Sequence, residues 1–151
     1  MLEMQAVIGR IQLQRMAGWT ATRTRYPEQI WAACRSHSAL HVPEVPTNVQ
    51  HAHYKCYAYV RPEQLAAGWN RDRIVAAINA LGVPCYQGSC SEVYMEKAFD
   101  GTGWRPAAPL PTAHVLGTTS VMFLVHPTLT QAEVDTTCTA IAQVMQQATA
   151  A

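Results

Sequence analysis

The sequence of 151 residues contains few charged side chains and very little lysine. Asp, Glu, Lys and Arg make up 14% of the residues, well below the roughly 25% of an average globular domain. Lys55 and Lys97 are the two lysines, and the formal net charge is +1. A protein that binds nucleic acid through phosphate contacts needs clustered basic residues, so the sequence argues against that class. The scarcity of charge also indicates that a partner covers part of the surface.

Long apolar runs, a signal peptide and a metal-binding motif are missing as well. The longest strongly apolar run covers residues 121–125, whereas a membrane-spanning helix needs ~20 such residues. Residues 1–16 have no features of a signal peptide. The five cysteines are odd in number and scattered, and the six histidines have no metal-site spacing. We therefore expect a cytoplasmic protein with reduced thiols, no membrane anchor and no bound metal.

A helical period of apolar residues predicts four helices and two shorter helical segments. Pro27 lies inside the second helix and cannot donate a backbone hydrogen bond, so a break or kink is expected near Tyr26. Asn70 and Thr130 are placed as N-caps, and Glu133 completes a capping box with Thr130. The predicted helices cover residues 2–16, 20–34, 70–81 and 130–145, and the short segments cover residues 91–99 and 110–116.

Three segments have the composition of β-strands, at residues 53–60, 83–86 and 119–126. Residues 41–50 contain two prolines and predict an extended connection, while residues 100–109 are rich in Gly and Pro and predict an exposed, mobile loop. The hydrophobic content of 49% provides a core for one domain. We therefore expect an α+β fold, with a small antiparallel or mixed sheet and helices packed on one face.

Two features of the sequence are candidates for chemistry, and each also has a plain structural explanation. Ser89 lies in the segment CYQGSC, which lacks the second glycine of a nucleophile turn. This segment either presents Ser89, Cys90 and backbone amides to a ligand or is an ordinary turn between a strand and a helix. Lys55 and Lys97 are the amines that could form a Schiff base with a carbonyl cofactor, although solvated or paired surface charges are the simpler interpretation.

Four segments of the chain, in the same order, resemble one family of enzymes. They are the opening LEMQAVIGRIQLQRM, the strand HAHYKCYAYV, the loop GVPCYQGSCSEVYMEKAF and the closing LPTAHVLGTTSVMFLVHPTLTQAEVDTTCTAI. Together they resemble the C-terminal part of the DegT/DnrJ/EryC1/StrS aminotransferases. The resemblance covers essentially the whole chain, and it implies the small C-terminal domain of a fold-type I aminotransferase. Residues 1–36 would then be a helical segment that packs on a large domain, and residues 37–151 would be the small domain.

The resemblance also implies an activity for the intact enzyme. Family members use pyridoxal phosphate to aminate keto-sugar nucleotides, with glutamate as the expected amino donor and a homodimer as the expected assembly. Such reactions belong to surface polysaccharide or related sugar biosynthesis. The Schiff-base lysine and the other cofactor-binding residues lie in an N-terminal domain that this sequence does not match. The chain alone is therefore expected to hold no cofactor, to contain no catalytic residue and to be inactive.

By position in the family pattern, seven residues are expected to face the sugar substrate. Aromatic and hydroxyl groups suit a sugar ring, and Lys55 could meet a nucleotide phosphate as a point charge. Core packing is the alternative role for Tyr54 and for Tyr57. The expected substrate-binding residues are His53, Tyr54 and Lys55 on the strand and Tyr86, Ser89, Cys90 and Glu92 on the loop.

A second class of function stays open at this point. The chain could be a free-standing binding or assembly module of the same fold that acts without a cofactor domain. In either case its first helices are expected to expose apolar stripes, so we expect the chain to self-associate or to be poorly soluble.

Overall fold

A computed structural model describes residues 2–150, which form one four-stranded sheet and four α-helices. In chain order the elements are α1 (Glu3–Arg35), β1 (Leu40–His41), β2 (Cys56–Val60), α2 (Arg71–Ala80), β3 (Cys85–Tyr86), α3 (Pro111–Thr119), β4 (Ser120–Phe123) and α4 (Gln131–Ala148). Short 3-10 helical turns lie at Pro62–Gln64, Val93–Met95 and Lys97–Phe99. The predicted α+β class is confirmed.

The sheet is antiparallel throughout, with the strand order β1-β2-β4-β3. Strands β2 and β4 form the central pair, in which Tyr57 lies opposite Met122 and Tyr59 lies opposite Ser120. Strand β3 pairs with the other edge of β4, where Tyr86 also lies opposite Met122. Of the two sheet types that the sequence allowed, the structure therefore has the antiparallel one.

The two faces of the sheet have different roles. Side chains alternate between faces along a strand, and in β2 this places Cys56, Ala58 and Val60 in the core while Tyr57 and Tyr59 stay half-buried on the opposite face. Helices α1, α2 and α4 contribute their buried residues to the same core cluster as the first face. The second face, which we call the outer face, carries His41, Tyr57, Tyr59, Tyr86, Ser120 and Met122.

The strands are shorter than the sequence predicted. The backbone of His53 has φ 46°, outside the extended region, and β2 begins only at Cys56. Thr119, the expected first residue of the last strand, is instead the final residue of α3. The expected short strand at residues 83–86 is reduced to the two residues of β3. Strand β1 was not predicted, because a two-residue edge strand leaves no periodic signal.

The predicted N-caps are confirmed at α2 and α4. Asn70 Oδ1 accepts a hydrogen bond from the backbone amide of Arg73 at 2.8 Å, which fixes the start of α2. Thr130 and Glu133 form the expected capping box at α4, with the Thr130 amide donating to Glu133 Oε2 at 2.7 Å and the Glu133 amide donating to Thr130 Oγ1 at 3.3 Å. Local chemistry therefore defines these two helix starts.

The N-terminal region forms one continuous helix of 33 residues, so the predicted break near Tyr26 is wrong. Pro27 lies inside α1 and removes a hydrogen bond, a change that costs about 3 kcal/mol in an isolated helix. Tyr26, Pro27, Ile30 and Trp31 are all buried, however. Tertiary contacts along this half of α1 outweigh the local cost of the proline.

The first half of α1 lies outside the core. We call residues 2–18 the N-terminal arm, and none of them is buried. Its apolar side chains are 42–75% exposed, namely Leu2, Met4, Val7, Ile8, Ile11, Leu13 and Met16. Among the helices described, none combines the length and apolarity needed to cross a bilayer.

Candidate functional site

An amine and two hydroxyl groups meet at the outer face of the sheet. Lys55 precedes β2, Tyr57 lies within β2, and Ser89 follows β3. The Lys55 amine donates to Ser89 Oγ at 3.3 Å, and the Tyr57 hydroxyl lies 3.2 Å from the same oxygen. The backbone amide of Ser89 donates to the Tyr57 hydroxyl, also at 3.2 Å. We call these three residues the polar cluster.

Neighbouring side chains hold the loop that carries Ser89 at its first two residues, Gln87 and Gly88. Ser120 Oγ, from the start of β4, donates to the carbonyl oxygen of Gln87 at 2.6 Å. The Gln87 side chain donates to Asp72 Oδ1 at 2.8 Å. Gly88 has φ 99°, which favours glycine, and a Cβ added there would lie 2.6 Å from Cε1 of the Tyr57 ring. Only glycine fits this close approach without displacing the ring.

Arg71 connects this loop support to the junction between α3 and β4. Its side chain is only 11% exposed. The guanidinium donates to the carbonyl oxygens of Gly117 and Ser120, each at 2.9 Å, and to Asp72 Oδ1 at 2.6 Å. Because a planar guanidinium fixes several acceptors at once, Arg71 holds Asp72 where it can bind Gln87.

A cavity of about 420 Å³ opens beside the polar cluster. This volume lies within the range of small-molecule sites. Its walls are the loop after β3, the 3-10 turns at Val93–Met95 and Lys97–Phe99, and the end of α3. The lining residues are Gln87, Gly88, Ser89, Cys90, Ser91, Glu92, Met95, Glu96, Lys97, Gly117 and Thr118.

Glu92 is anchored to the segment behind this cavity. Its Oε1 accepts a hydrogen bond from the Tyr94 hydroxyl at 2.7 Å, and its Oε2 lies 3.1 Å from His114 Nδ1. The hydrogen bond from Tyr94 and the pairing with His114 hold the pKa of Glu92 below its ordinary value. The backbone amide of Leu110 donates to Tyr94 Oη at 2.9 Å. Glu92 is therefore an ionised group whose direction is fixed.

Cys90 is exposed, yet it is a poor nucleophile. Its thiol donates to Glu96 Oε1 at 3.3 Å. This hydrogen bond raises the pKa of the Cys90 thiol above its ordinary value. Because the thiolate is the reactive form, Cys90 presents a neutral thiol at the cavity wall, with its proton held by Glu96.

The Gly- and Pro-rich loop has an internal anchor that the sequence analysis did not identify. The Arg105 guanidinium donates to the carbonyl oxygens of Tyr94 at 2.8 Å, Met95 at 3.1 Å and Glu96 at 3.1 Å. Arg105 also forms an ion pair with Asp100. These contacts attach the loop to the 3-10 turns that form the wall of the cavity.

The structure brings some of the seven expected site residues together and separates others. Lys55 and Ser89 are in direct contact, and Cys90 and Glu92 line the adjoining cavity. Tyr54 is 75% exposed, with Lys55 Nζ 5.8 Å from its ring centroid. Tyr54 is therefore a surface residue rather than part of the core.

The other two expected residues, Tyr86 and His53, differ in their exposure. Tyr86 lies on the outer face and is 47% exposed. His53 is 3% exposed, and its ring packs edge-on against Trp31, with 5.2 Å between ring centroids. Burial, together with the neighbouring His51, lowers the pKa of His53. The His53 side chain therefore supports the start of β2 from within and does not meet the cavity.

Tyr57 is the residue that the sequence analysis did not assign to the site. Strand alternation places the Tyr57 side chain on the same face as Tyr59. Lys55, two positions before Tyr57, lies just outside the strand. That alternation was visible in the sequence, but the contact with Ser89 depends on residues 32 apart in the chain. Within residues 2–150 no group of three or more His, Cys, Asp or Glu side chains is arranged to hold a metal ion.

Comparison with known proteins identifies the family. The DegT/DnrJ/EryC1/StrS aminotransferase family matches residues 1–142 of this chain. The chain belongs to this family. No curated protein matches the sequence.

Solved structures share the fold and show how much of an enzyme the chain represents. An aminotransferase from Psychrobacter cryohalolentis is 53% identical with a TM-score of 0.90, over 97% of this chain and 39% of that one. A DegT DnrJ EryC1 StrS aminotransferase from Brucella abortus is 20% identical with a TM-score of 0.70, over 87% of this chain and 32% of that one. DesV from S. venezuelae, solved in complex with a ketimine intermediate, is 16% identical with a TM-score of 0.81, over 95% of this chain and 36% of that one.

The chain thus spans about two fifths or less of these aminotransferases. This partial coverage agrees with the C-terminal domain that the resemblance predicted. The structures from Brucella abortus and S. venezuelae, at 20% and 16% identity, show only that the fold is shared.

The residues of this chain do not fit pyridoxal phosphate, the cofactor that the family implies. A Schiff-base lysine needs a desolvated pocket, an acidic partner for the pyridine nitrogen and a surface for the ring. Lys97 is exposed, and the cavity beside it has no aromatic residue in its wall. Lys55 is only partly buried and its amine donates to Ser89, so it lacks the desolvated pocket that this chemistry needs.

Proposed function

We propose that this chain is the substrate-binding small domain of an enzyme that aminates a keto-sugar nucleotide. Family membership supports an aminotransferase. The chain matches 39% of the Psychrobacter cryohalolentis aminotransferase, so the rest of such an enzyme would come from sequence outside these residues. In this proposal residues 37–151 form the small domain, residues 1–36 join it to a large domain, and the enzyme is a cytoplasmic homodimer with glutamate as its amino donor.

The observation that carries the proposal is the polar cluster beside the cavity of about 420 Å³. An ammonium group attracts phosphate as a point charge, and hydroxyl groups exchange hydrogen bonds with sugar hydroxyls. A nucleotide sugar carries both of these partners next to each other. Lys55 would therefore bind the diphosphate, while Ser89 would lie between the diphosphate and the sugar.

The remaining expected residues have roles that fit their surroundings. Cys90 would contact the sugar through its neutral sulfur, since its pKa is raised and its proton donates to Glu96. Glu92 would accept a hydrogen bond from a sugar hydroxyl as an oriented carboxylate. The exposed rings of Tyr54 and Tyr86 offer apolar faces to a sugar ring. His53 would contribute only by supporting the residues that precede β2.

Pyridoxal phosphate, held by the proposed large domain, would supply the group that carries the amine and stabilises the carbanion. The residues of this chain bind and orient the substrate. They also close one side of the cleft and thereby exclude water from it.

The proposed large domain also accounts for the surface of the N-terminal arm. Seven large apolar side chains of the arm are exposed, and burial of apolar surface is the dominant favourable contribution to most protein–protein association. Contact of the arm with a large domain or a second subunit would remove this apolar surface from water.

The reading frame upstream of Met1 provides the first test. We expect coding sequence for a lysine-bearing cofactor domain, and the protein expressed from the continuous frame should transfer the amine of glutamate to a keto-sugar nucleotide. The 151-residue chain should be colourless with pyridoxal phosphate and should not be trapped by borohydride. A stop codon and a ribosome-binding site directly upstream would instead favour a free-standing binding or assembly module.

Lys55 provides the second test, in the extended enzyme. Lys55→Gln should raise the KM for the nucleotide sugar about ten-fold with a much smaller change in kcat, because a charge-assisted contact to a phosphate is lost. Arg25→Gln removes one positive charge from an exposed position of α1, outside both the polar cluster and the cavity, and should change KM less. Equal effects of the two variants would contradict the role of Lys55.

A further inference from the structure

The Tyr57 hydroxyl is in contact with both the backbone and the side chain of Ser89. It accepts a hydrogen bond from the backbone amide of Ser89 at 3.2 Å. A phenolic hydroxyl carries one proton, which stays free for donation. Ser89 Oγ also lies 3.2 Å from this hydroxyl, in a pair where either hydroxyl can donate. Tyr57 therefore holds Ser89 twice, once by its backbone and once by its side chain.

The contacts with Lys55 and Tyr57 also determine where the proton of the Ser89 hydroxyl can point. A serine hydroxyl has two acceptor lone pairs and one donor proton. Lys55, which has no acceptor, must donate to Ser89 Oγ. Either hydroxyl can donate in the 3.2 Å pair of Tyr57 and Ser89, and the amide hydrogen bond that the Tyr57 oxygen already accepts favours Tyr57 as the donor. Both acceptor positions of Ser89 are then occupied, so its proton points away from the cluster and is available to a ligand.

The loop has little freedom to escape this arrangement. The carbonyl oxygen of Gln87 is held by Ser120, which is buried at 6% exposure. The Tyr57 ring lies so close to Gly88 that a Cβ there would be only 2.6 Å from the ring. Three successive loop residues are thus fixed by two side chains of the central strands. A group held in its bound geometry loses less entropy when ligand arrives.

We propose that Tyr57 is a positioning residue of the substrate site, which directs the Ser89 hydroxyl to donate, beside the Lys55 ammonium, to one anionic group. The inference rests on the proposed function, since it specifies how the polar cluster recognises its ligand. A site made of an ammonium and a hydroxyl fixed as donor favours a group that only accepts hydrogen bonds. A phosphate of the nucleotide diphosphate is such a group, whereas a neutral sugar hydroxyl matches it less well.

The test uses the 151-residue chain labelled with ¹⁵N and titrated with inorganic pyrophosphate as the probe. We expect saturable shifts at the Ser89 amide. Tyr57→Phe keeps the ring that lies against Gly88 and removes only the hydroxyl, and it should weaken binding about three- to ten-fold, the range of an ordinary hydrogen bond. Tyr59→Phe is the matched control on the same strand face. For the Tyr59 hydroxyl the described residues provide no hydrogen-bond partner, so this variant should bind like the original chain.

A double-mutant cycle separates positioning from a general effect on the fold. If Tyr57 acts through Ser89, Tyr57→Phe should cause no further loss of affinity when Ser89→Ala is already present. An equal loss in both backgrounds would overturn the proposal, as would unchanged binding by Tyr57→Phe. If the unmodified chain does not bind pyrophosphate at all, the anion-binding role of the polar cluster fails as well. Binding that Tyr57→Phe leaves intact removes only the inference on Tyr57.

Discussion

The hydroxyl of Tyr26 donates a hydrogen bond to the carbonyl oxygen of Leu129 at 2.8 Å, across 103 positions of the chain. Tyr26 belongs to the buried half of α1, and Leu129 directly precedes the N-cap of α4. This contact joins the first and last helices next to Pro27, where α1 lacks a backbone hydrogen bond. It therefore helps to explain why α1 continues through the proline.

Removal of this contact should destabilise the domain. Tyr26→Phe leaves the Leu129 carbonyl without its donor, and we expect a loss of about 1 kcal/mol in the free energy of unfolding. Urea unfolding followed by tryptophan fluorescence measures it. Tyr54→Phe is the matched control, because its side chain is 75% exposed and its loss should cost less than about 0.5 kcal/mol. Equal stability of the two variants would contradict the importance of the Tyr26 contact.

Gly88→Ala should disturb the site through two separable effects. Gly88 has φ 99°, and a Cβ there would lie 2.6 Å from the Tyr57 ring. Gly101 has φ 70° with open space around its position, so Gly101→Ala isolates the cost of the backbone conformation. That cost is of order 1 kcal/mol. Gly88→Ala should therefore be the more destabilising variant in urea unfolding, and only this variant should move the Ser89 amide resonance.

Glu92 predicts a specific dependence of stability on pH. Its pKa in the folded chain is depressed, mainly by the Tyr94 hydroxyl and then by His114. A carboxyl with a depressed pKa stabilises the folded state above the unfolded pKa, near 4.3, and this stabilisation is lost as the pH falls through the folded pKa. Unfolding curves between pH 7 and pH 3 should show this acid loss, and Glu92→Gln should make it smaller. Glu63→Gln, at an exposed position in a 3-10 turn, is the control and should leave the curve unchanged.

The N-terminal arm predicts that the isolated chain associates with itself. Leu13 is 64% exposed beside Met16, which is 54% exposed, and exposed apolar side chains of this kind favour association at high concentration. Sedimentation velocity over a range of concentrations should show association, and Leu13→Glu should reduce it. Leu110→Glu changes a leucine that is 50% exposed outside the arm and should have less effect. A monomer at every concentration would remove the argument that the arm is an interface.

The sequence predicted the parts of the fold that have local causes. Asn70 and Thr130 defined helix starts because their side chains cap backbone amides within three residues. The alternation of buried and half-buried residues in β2 follows directly from the order of its side chains. The continuous α1 was not predictable, because the stabilising contact of Tyr26 lies with Leu129 at the far end of the chain. A local rule about proline cannot include such a contact.

The arrangement of the candidate site was predictable only in part, and the role of its residues stays a prediction. Lys55 and Ser89 were expected from the family pattern, and the structure places them 3.3 Å apart. The contacts of Tyr57 with the loop after β3 were not predictable, because they depend on the register between β2 and β4. The same register places Ser120 where its hydroxyl binds the carbonyl oxygen of Gln87. The anchors of the cavity wall, Arg71 and Arg105, bind backbone carbonyls, for which a sequence gives no pattern.

Strand β2 supplies the interior with every second residue and the outer face with the residues between. A single inserted or deleted residue would exchange the two sets, so that tyrosine hydroxyls turned inward while Cys56 and Ala58 turned outward. A change in the length of the loop after β3 leaves this alternation intact, whereas the spacing along β2 cannot change without reversing it.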